Sequence, residues 1–337
     1  MRWLVALASL LLPALPASAV TIDWVTVGDP GNLADPTTGY GAVAYEFRIS
    51  RYEVTNGQYA EFLNAVADDD PNALYDTNMG SESMHGGITQ SGSPGSFSYG
   101  AVAGREDMPV NWVSFHDALR FANWLHNGQP TGAQGNATTE DGAYTITLAG
   151  IASNSIVRNG GANSFLPSND EWYKAAYHAG ASADYFAYPA GSDFGTTCTA
   201  PGATPNTANC DALGSDATDA DVDDHTVVGS FTASASPYGT FDQGGNVVEW
   251  NDTALSGFGR GLRGGGFDSS SSTDLAAAFL FVGSPGYADW HIGFRVASVP
   301  EPATGLLLGT GLLALGRRRA GRHGRAYQPS SAASSAA

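Results

Sequence analysis

Glycine constrains this chain more than any other residue. It occupies 43 of 337 positions and is spread throughout the sequence instead of being confined to a linker. Each glycine inside a helix or strand costs about 0.5–1 kcal/mol relative to alanine, so a chain punctuated this often builds short elements joined by turns. Three segments nevertheless carry helix-start chemistry. Thr55-Asn56-Gly57-Gln58 is a capping box followed by Tyr59, Phe62 and Leu63 on one face. Ser114-Phe115-His116-Asp117 is a looser version, with Leu119, Phe121, Ala122 and Leu125 behind it and Gly128 past its end. Ser168-Asn169-Asp170-Glu171 precedes Trp172, Ala175 and Ala176, with Gly180 as the stop. In each, a side-chain oxygen can satisfy amides left free in the first turn. His116, at a helix start, reads as a surface or capping residue.

Strand signals are short. Tyr45, Phe47 and Ile49 alternate with polar residues, and Ile292, Phe294 and Val296 alternate with Gly293, Arg295 and Ala297; both predict strands with one buried face. Val227-Val228 predicts another. Between these signals lie the irregular stretches 67–107, 127–164 and 181–224, and loops of that length are usually functional or stapled. The expected fold class is a loop-rich α+β domain.

Both ends read as sorting segments. Arg2, the apolar run Leu4 to Leu15 and Ala17-Ser18-Ala19 form a signal peptide over residues 1–19, which places the mature start at Val20. At the other end Pro300-Glu301-Pro302 precedes the 13-residue apolar run Ala303–Leu315 and the cluster Arg317-Arg318-Arg319. A spanning helix needs roughly 20 residues, and this run is shorter and holds three glycines, so it predicts transient membrane contact only. The segment 299–325 resembles the PEP-CTERM sorting signals of Gram-negative bacteria. That resemblance implies an exosortase-type protease as partner and a location in the periplasm, at the outer surface or in the extracellular matrix. Eighteen further residues follow the arginines, a departure from that pattern; residues 326–337 are expected to be a disordered tail.

Between these ends, residues 20–299 hold nine basic and thirty-two acidic side chains, a net charge of −23. Such a surface repels nucleic acid and anionic membrane. Its carboxylates keep an exported protein soluble or bind cations. Cys198 and Cys210 are the only cysteines. In an oxidising compartment they predict a disulfide closing a short loop, with a reactive thiol pair as the alternative.

Six spaced blocks resemble the formylglycine-generating enzyme, or sulfatase-modifying factor, family. They are Arg51-Tyr52-Glu53-Val54-Thr55-Asn56; Met108-Pro109-Val110 through Trp124; Leu166-Pro167-Ser168 with Glu171-Trp172; Gly244-Gly245-Asn246-Val247-Val248-Glu249-Trp250; Leu262-Arg263-Gly264-Gly265-Gly266; and Ile292-Gly293-Phe294-Arg295. The resemblance implies a single C-type-lectin-like α+β domain over residues 20–298, with little regular secondary structure and long loops. The tryptophans read as core, and the glycine triplet as a tight backbone path.

The family's oxidases hold copper on a closely spaced cysteine pair, since soft thiolates suit Cu(I). Counting back from Gly293 places that pair near Ser272 and Ala277, and no cysteine follows Cys210. No copper is therefore expected and no catalytic residue is assigned. The seven histidines show no metal-binding spacing. What the resemblance does imply is structural Ca²⁺. One site would use Asp242 and Glu249 with the carbonyls of Gly245 and Val247, and a second Asn209 with Asp221 and Asp223. All of these are oxygen donors of the kind Ca²⁺ takes. The expected function is a non-oxidase, cell-surface binding or structural module for an extracellular ligand. The alternative is a family enzyme with a site of another kind. The sorting pattern predicts that mass spectrometry of surface protein from the native host finds no peptide from Arg317 onward; intact tails as the main species would contradict it.

Overall fold

The elements in the computed structural model follow the punctuation of the sequence. The structure describes residues 19–182, 184–210, 225–255, 257–269 and 272–299. In chain order the elements are β1 (Trp24–Val27), β2 (Phe47–Ser50), α1 (Asn56–Val66), α2 (Asn78–Ser81), β3 (Ile88–Ser91), β4 (Ser98–Ala101), α3 (Phe115–His126), α4 (Leu148–Ser153), β5 (Ser164–Phe165) and α5 (Asn169–Tyr177). There follow β6 (Thr197–Cys198), β7 (Thr207–Ala208), β8 (Val248–Ala254), β9 (Arg260–Arg263), a 3₁₀ turn at Ser272–Leu275, β10 (Phe281–Gly283), β11 (Ile292–Phe294) and β12 (Ala297–Ser298). The three expected capping boxes are all formed, including the looser one, where the Asp117 carboxylate accepts from the Ser114 backbone amide.

Two four-stranded sheets carry the architecture, in the orders β1-β2-β12-β5 and β10-β9-β8-β11. The first is antiparallel throughout, while in the second β11 runs parallel to β8. Arg295 and Val296 are the whole connection between β11 and β12, so the chain crosses from one sheet to the other at Arg295. Helices α1 and α3 pack beside that crossing. Phe121 sits 5.3 Å from both Phe62 and Phe294, centroid to centroid, and Tyr59 stacks on Phe121. Trp124, Trp172 and Trp250 are buried as expected. Edge-to-face aromatic packing of this kind adds about 0.5–1.5 kcal/mol per pair beyond area burial.

The structure corrects several sequence expectations. The last strand pair is buried on both faces, Gly293, Arg295 and Ala297 included, because the Val110 carbonyl and Val247 lie over Gly293 and the Arg295 guanidinium lies against Glu249 and the carbonyls of Ser50 and Phe241. Tyr45 lies outside β2 and its hydroxyl donates to Glu171 at 2.5 Å. Val227-Val228 forms no strand; its one ladder-like bond is Val228 N–H to the Asp107 carbonyl. His116 is buried, not superficial. Burial and the nearby Arg120 and Arg260 push its pKa down to about 4, so it is neutral. The long irregular stretches contain α2, β3, β4 and α4.

Cys198 and Cys210 are joined, closing a loop of sequence separation 12, and Cys210 packs with Ala208 and Leu275. By loop entropy, opening such a ring costs about 3 kcal/mol. Replacing both cysteines by serine should lower unfolding stability by about that amount in a denaturant titration. No change would show that the loop is held by its packing alone.

Candidate functional site

The Gly244–Trp250 block begins in a left-handed backbone path: Gly245 and Asn246 both have positive φ, as does Asp242 just before it. Gly245 is obligatory because a Cβ there would lie 2.2 Å from the Asn209 carbonyl oxygen. The loop is pinned by Asn246 N–H to that same carbonyl at 2.9 Å, by Gly245 N–H to the Gly264 carbonyl, and by Thr226 N–H to Asn246 Oδ1. Asn209, Gly245 and Asn246 therefore meet. The triplet after Leu262-Arg263 supplies the matching surface: Gly264 and Gly265 have positive φ, and a Cβ on Gly265 would strike Leu275 and Ser269 at 2.8 Å.

Glu249, expected to hold Ca²⁺, is paired with the guanidinium of Arg295. Arg295 Nε and Nη2 donate to its two oxygens, both at 2.6 Å, and Trp172 Nε1 donates to Oε2 at 2.7 Å. Pair and partners are fully buried. The remaining Arg295 protons reach the carbonyls of Ser50, Arg51 and Phe241. Asp242 lies nearby, its Oδ2 accepting from Gly229 N–H at 2.6 Å. Burial, reinforced by Glu249, pushes the Asp242 pKa up to about 6 against the pull of that amide and Arg295. Glu53 completes the cluster. Neither of its buried oxygens has a partner from another residue, and burial together with the charge of Asp242 raises its pKa well above the ordinary range. Val247 is buried; Asp221 and Asp223, and the sorting residues Pro300, Glu301, Pro302 and Arg317–Arg319, lie outside the described residues.

At the positions where the sequence places the missing cysteine pair, Ser272 starts the 3₁₀ turn and Ala277 is buried against Trp172, Tyr173 and Tyr177. Ala277 lines a cleft of about 300 Å³ with Tyr185, Phe186, Tyr188, Asp35 and Asp193. No Lys, Arg or His is among the cleft's described lining residues. Asp35 is braced by Thr37 N–H and Tyr173 Oη, and Asp193 by Ala187 N–H. Sequence reading missed the roles of Glu53 and Arg295 as well as this cleft. Glu53 and Arg295 were visible as members of separate blocks; Asp35, Tyr188 and Asp193 belong to none. Among the described residues no group of three or more His, Cys, Asp or Glu side chains is arranged to hold a metal, and no helix is long and apolar enough to cross a membrane.

The family described as the sulfatase-modifying factor enzyme 1-like domain matches residues 35–299, and the PEP-CTERM protein-sorting motif matches residues 298–320. No curated protein matches. Among solved structures, that of CarF is 21% identical, covering 84% of this chain and 100% of its own, with a TM-score of 0.53. Variable protein 1 of Treponema denticola is 18% identical (85% and 98% covered, TM-score 0.49), and PvdO from Pseudomonas aeruginosa is 19% identical (82% and 92% covered, TM-score 0.43). The likeness to CarF shows a shared fold.

A carboxyl whose pKa rises on folding stabilises fully below its unfolded value near 4, and that contribution is lost as pH rises through about 6. In chelator, Asp242→Asn should therefore raise the melting temperature at pH 8 and change it little at pH 4. A drop at pH 8 would show that the carboxylate is needed in its charged form.

Proposed function

The chain belongs to the sulfatase-modifying factor enzyme 1-like family, and from that premise we propose that it is an exported module which binds an extracellular ligand where its relatives carry copper chemistry. The sorting motif marks it for export to the cell surface. Its domain lacks the family's cysteine pair, and the two cysteines it has are spent on a disulfide. One observation carries the binding reading. Ala277, standing in for a metal ligand, opens onto a cleft walled by three aromatic rings and two carboxylates. Aromatic faces and carboxylates favour a cationic group, a guanidinium or ammonium, which gains roughly 0.5–2 kcal/mol per ring when desolvated. The C-type-lectin-like description of the scaffold and removal of the tail by an exosortase-type protease belong to the same proposal; small sheets with long loops and the matched sorting motif support them.

Calcium is its second part. Glu249 is engaged by Arg295, so the carboxylates with oxygens to spare near the loop are Asp242 and Glu53. Asp242 also lines a cavity of about 20 Å³ with Gln243, Thr240 and Ser236, room for one water or ion with oxygen donors around it. Ca²⁺ held there would stabilise the folded state by mass action. A site at Asn209, Asp221 and Asp223 rests on the family resemblance.

Calorimetric titration with tri-arginine and tri-glutamate peptides tests the cleft. Only tri-arginine should bind, about tenfold more weakly to Tyr188→Ala and more weakly to Asp193→Asn. In parallel, the purified domain should leave the cysteine of a sulfatase-motif peptide unoxidised by mass spectrometry. Aldehyde formation above a no-protein control would overturn the module reading, and equal binding of both peptides the cationic ligand.

A further inference from the structure

The first residues of the folded domain are seated in a receptor of their own. Helix α3 ends in a Schellman motif: Gly128 N–H bonds to the Leu125 carbonyl and Gln129 N–H to the Trp124 carbonyl. Gly128 and Gln129 both have positive φ, which is ordinary for the first and uncommon for the second. That turn aims the Gln129 side chain at Val20, where its amide makes both complementary bonds. Val20 N–H donates to Oε1 at 2.7 Å, and Nε2 donates to the Val20 carbonyl at 2.8 Å. Val20 is only 9% exposed, and the next carbonyl, of Thr21, accepts from Gln58 Nε2 at 3.0 Å. A side-chain amide is thus copying a strand partner at the residue that follows the Ala17-Ser18-Ala19 cleavage signal.

The charge around this seat is one-sided. Ala19 and Val20 border a cleft of about 560 Å³ that also holds Glu61, Glu106 and Asp107, with no basic residue among its described lining. An intact peptide bond brings only a neutral N–H to that place. Hydrolysis of the Ala19–Val20 bond adds one water: Ala19 departs as the carboxylate, and the Val20 nitrogen gains protons to become an ammonium. The same Gln129 Oε1 then accepts a charge-assisted bond, roughly twice as strong as a neutral one, and the acidic cleft gains a cation.

We propose that Gln129, with the carboxylates of this cleft, is the binding site for the chain's own newly cut α-ammonium, so that removal of the signal segment completes the fold. The inference rests on the reading of residues 1–19 as a cleaved signal, not on the ligand cleft beside Ala277.

The test uses the full chain, expressed with its signal and recovered after export. Peptide sequencing by mass spectrometry should find Val20 as the first residue. Acetic anhydride at pH 7 should then modify the folded protein's α-amine about tenfold more slowly than the urea-unfolded chain, the equivalent of one pKa unit. Gln129→Ala, which keeps the same backbone demand, should remove most of that protection. Should that variant not fold, one glycine inserted before Val20 should do the same and lower the melting temperature. A start at another residue would overturn the cleavage reading and the inference with it. A Val20 start whose α-amine reacts equally fast folded and unfolded would overturn the inference alone.

Discussion

The Arg295–Glu249 pair holds the two sheets together. Arg295 sits on the two-residue crossing from β11 to β12, and its guanidinium reaches Glu249 on β8, the carbonyls of Ser50 and Arg51 at the end of β2, and that of Phe241. Trp172 of α5 adds a donor to the same carboxylate. Desolvating two such charges is expensive, and removing one partner of a buried pair typically costs about 3–5 kcal/mol because the other charge is stranded. What makes the pair tolerable is saturation, since both carboxylate oxygens and every guanidinium nitrogen have partners. Four of the six sequence blocks, those of Glu53, Trp172, Glu249 and Arg295, are thus parts of one buried object.

The same economy governs the other cations. Five of the nine basic residues in the domain, Arg120, Lys174, Arg260, Arg263 and Arg295, are buried. Arg263 lies between the rings of Tyr40 and Tyr173 and donates to the carbonyls of Ala277 and Phe279. Arg260 lies over Phe115 and donates to the carbonyls of Asp252 and Ile156. Arginine suits this work because its fork can satisfy several loop carbonyls at once. With few regular ladders, a loop-rich domain needs such hubs to satisfy its backbone. Asp35, Glu53, Asp117, Glu171, Asp242 and Glu249 are buried as well, so the exterior keeps nearly the whole acidic excess of the domain.

At Ala277, near which the family resemblance places one cysteine of the missing pair, the scaffold is held by contacts independent of a thiol. Ala277 contributes its carbonyl to Arg263 and its methyl to the aromatic cluster around Trp172. Neither contact needs a thiol.

The sequence by itself determined what depends on neighbours in the chain. Three capping boxes were legible because Thr55, Ser114 and Ser168 need only the residue three positions on, and the buried tryptophans because a large apolar ring favours the core whether it stands on a helix, as Trp124 and Trp172 do, or on a strand, as Trp250 does. The absence of the oxidase ligands was legible because it is a matter of composition. Tertiary structure decided everything that depends on residues far apart. Glu249 reads as a Ca²⁺ ligand, whereas in the fold the guanidinium of Arg295, 46 positions away, occupies both its oxygens. Arg295 itself reads as the exposed side of an alternating strand until Glu249 and the carbonyls of Ser50, Arg51 and Phe241 gather round its guanidinium. Asp35 and Asp193 become two walls of one cleft only when the loops carrying them close over Ala277. Periodicity records which side of an element is apolar, whereas a buried charge is fixed by the partner that neutralises it, and no local pattern names that partner.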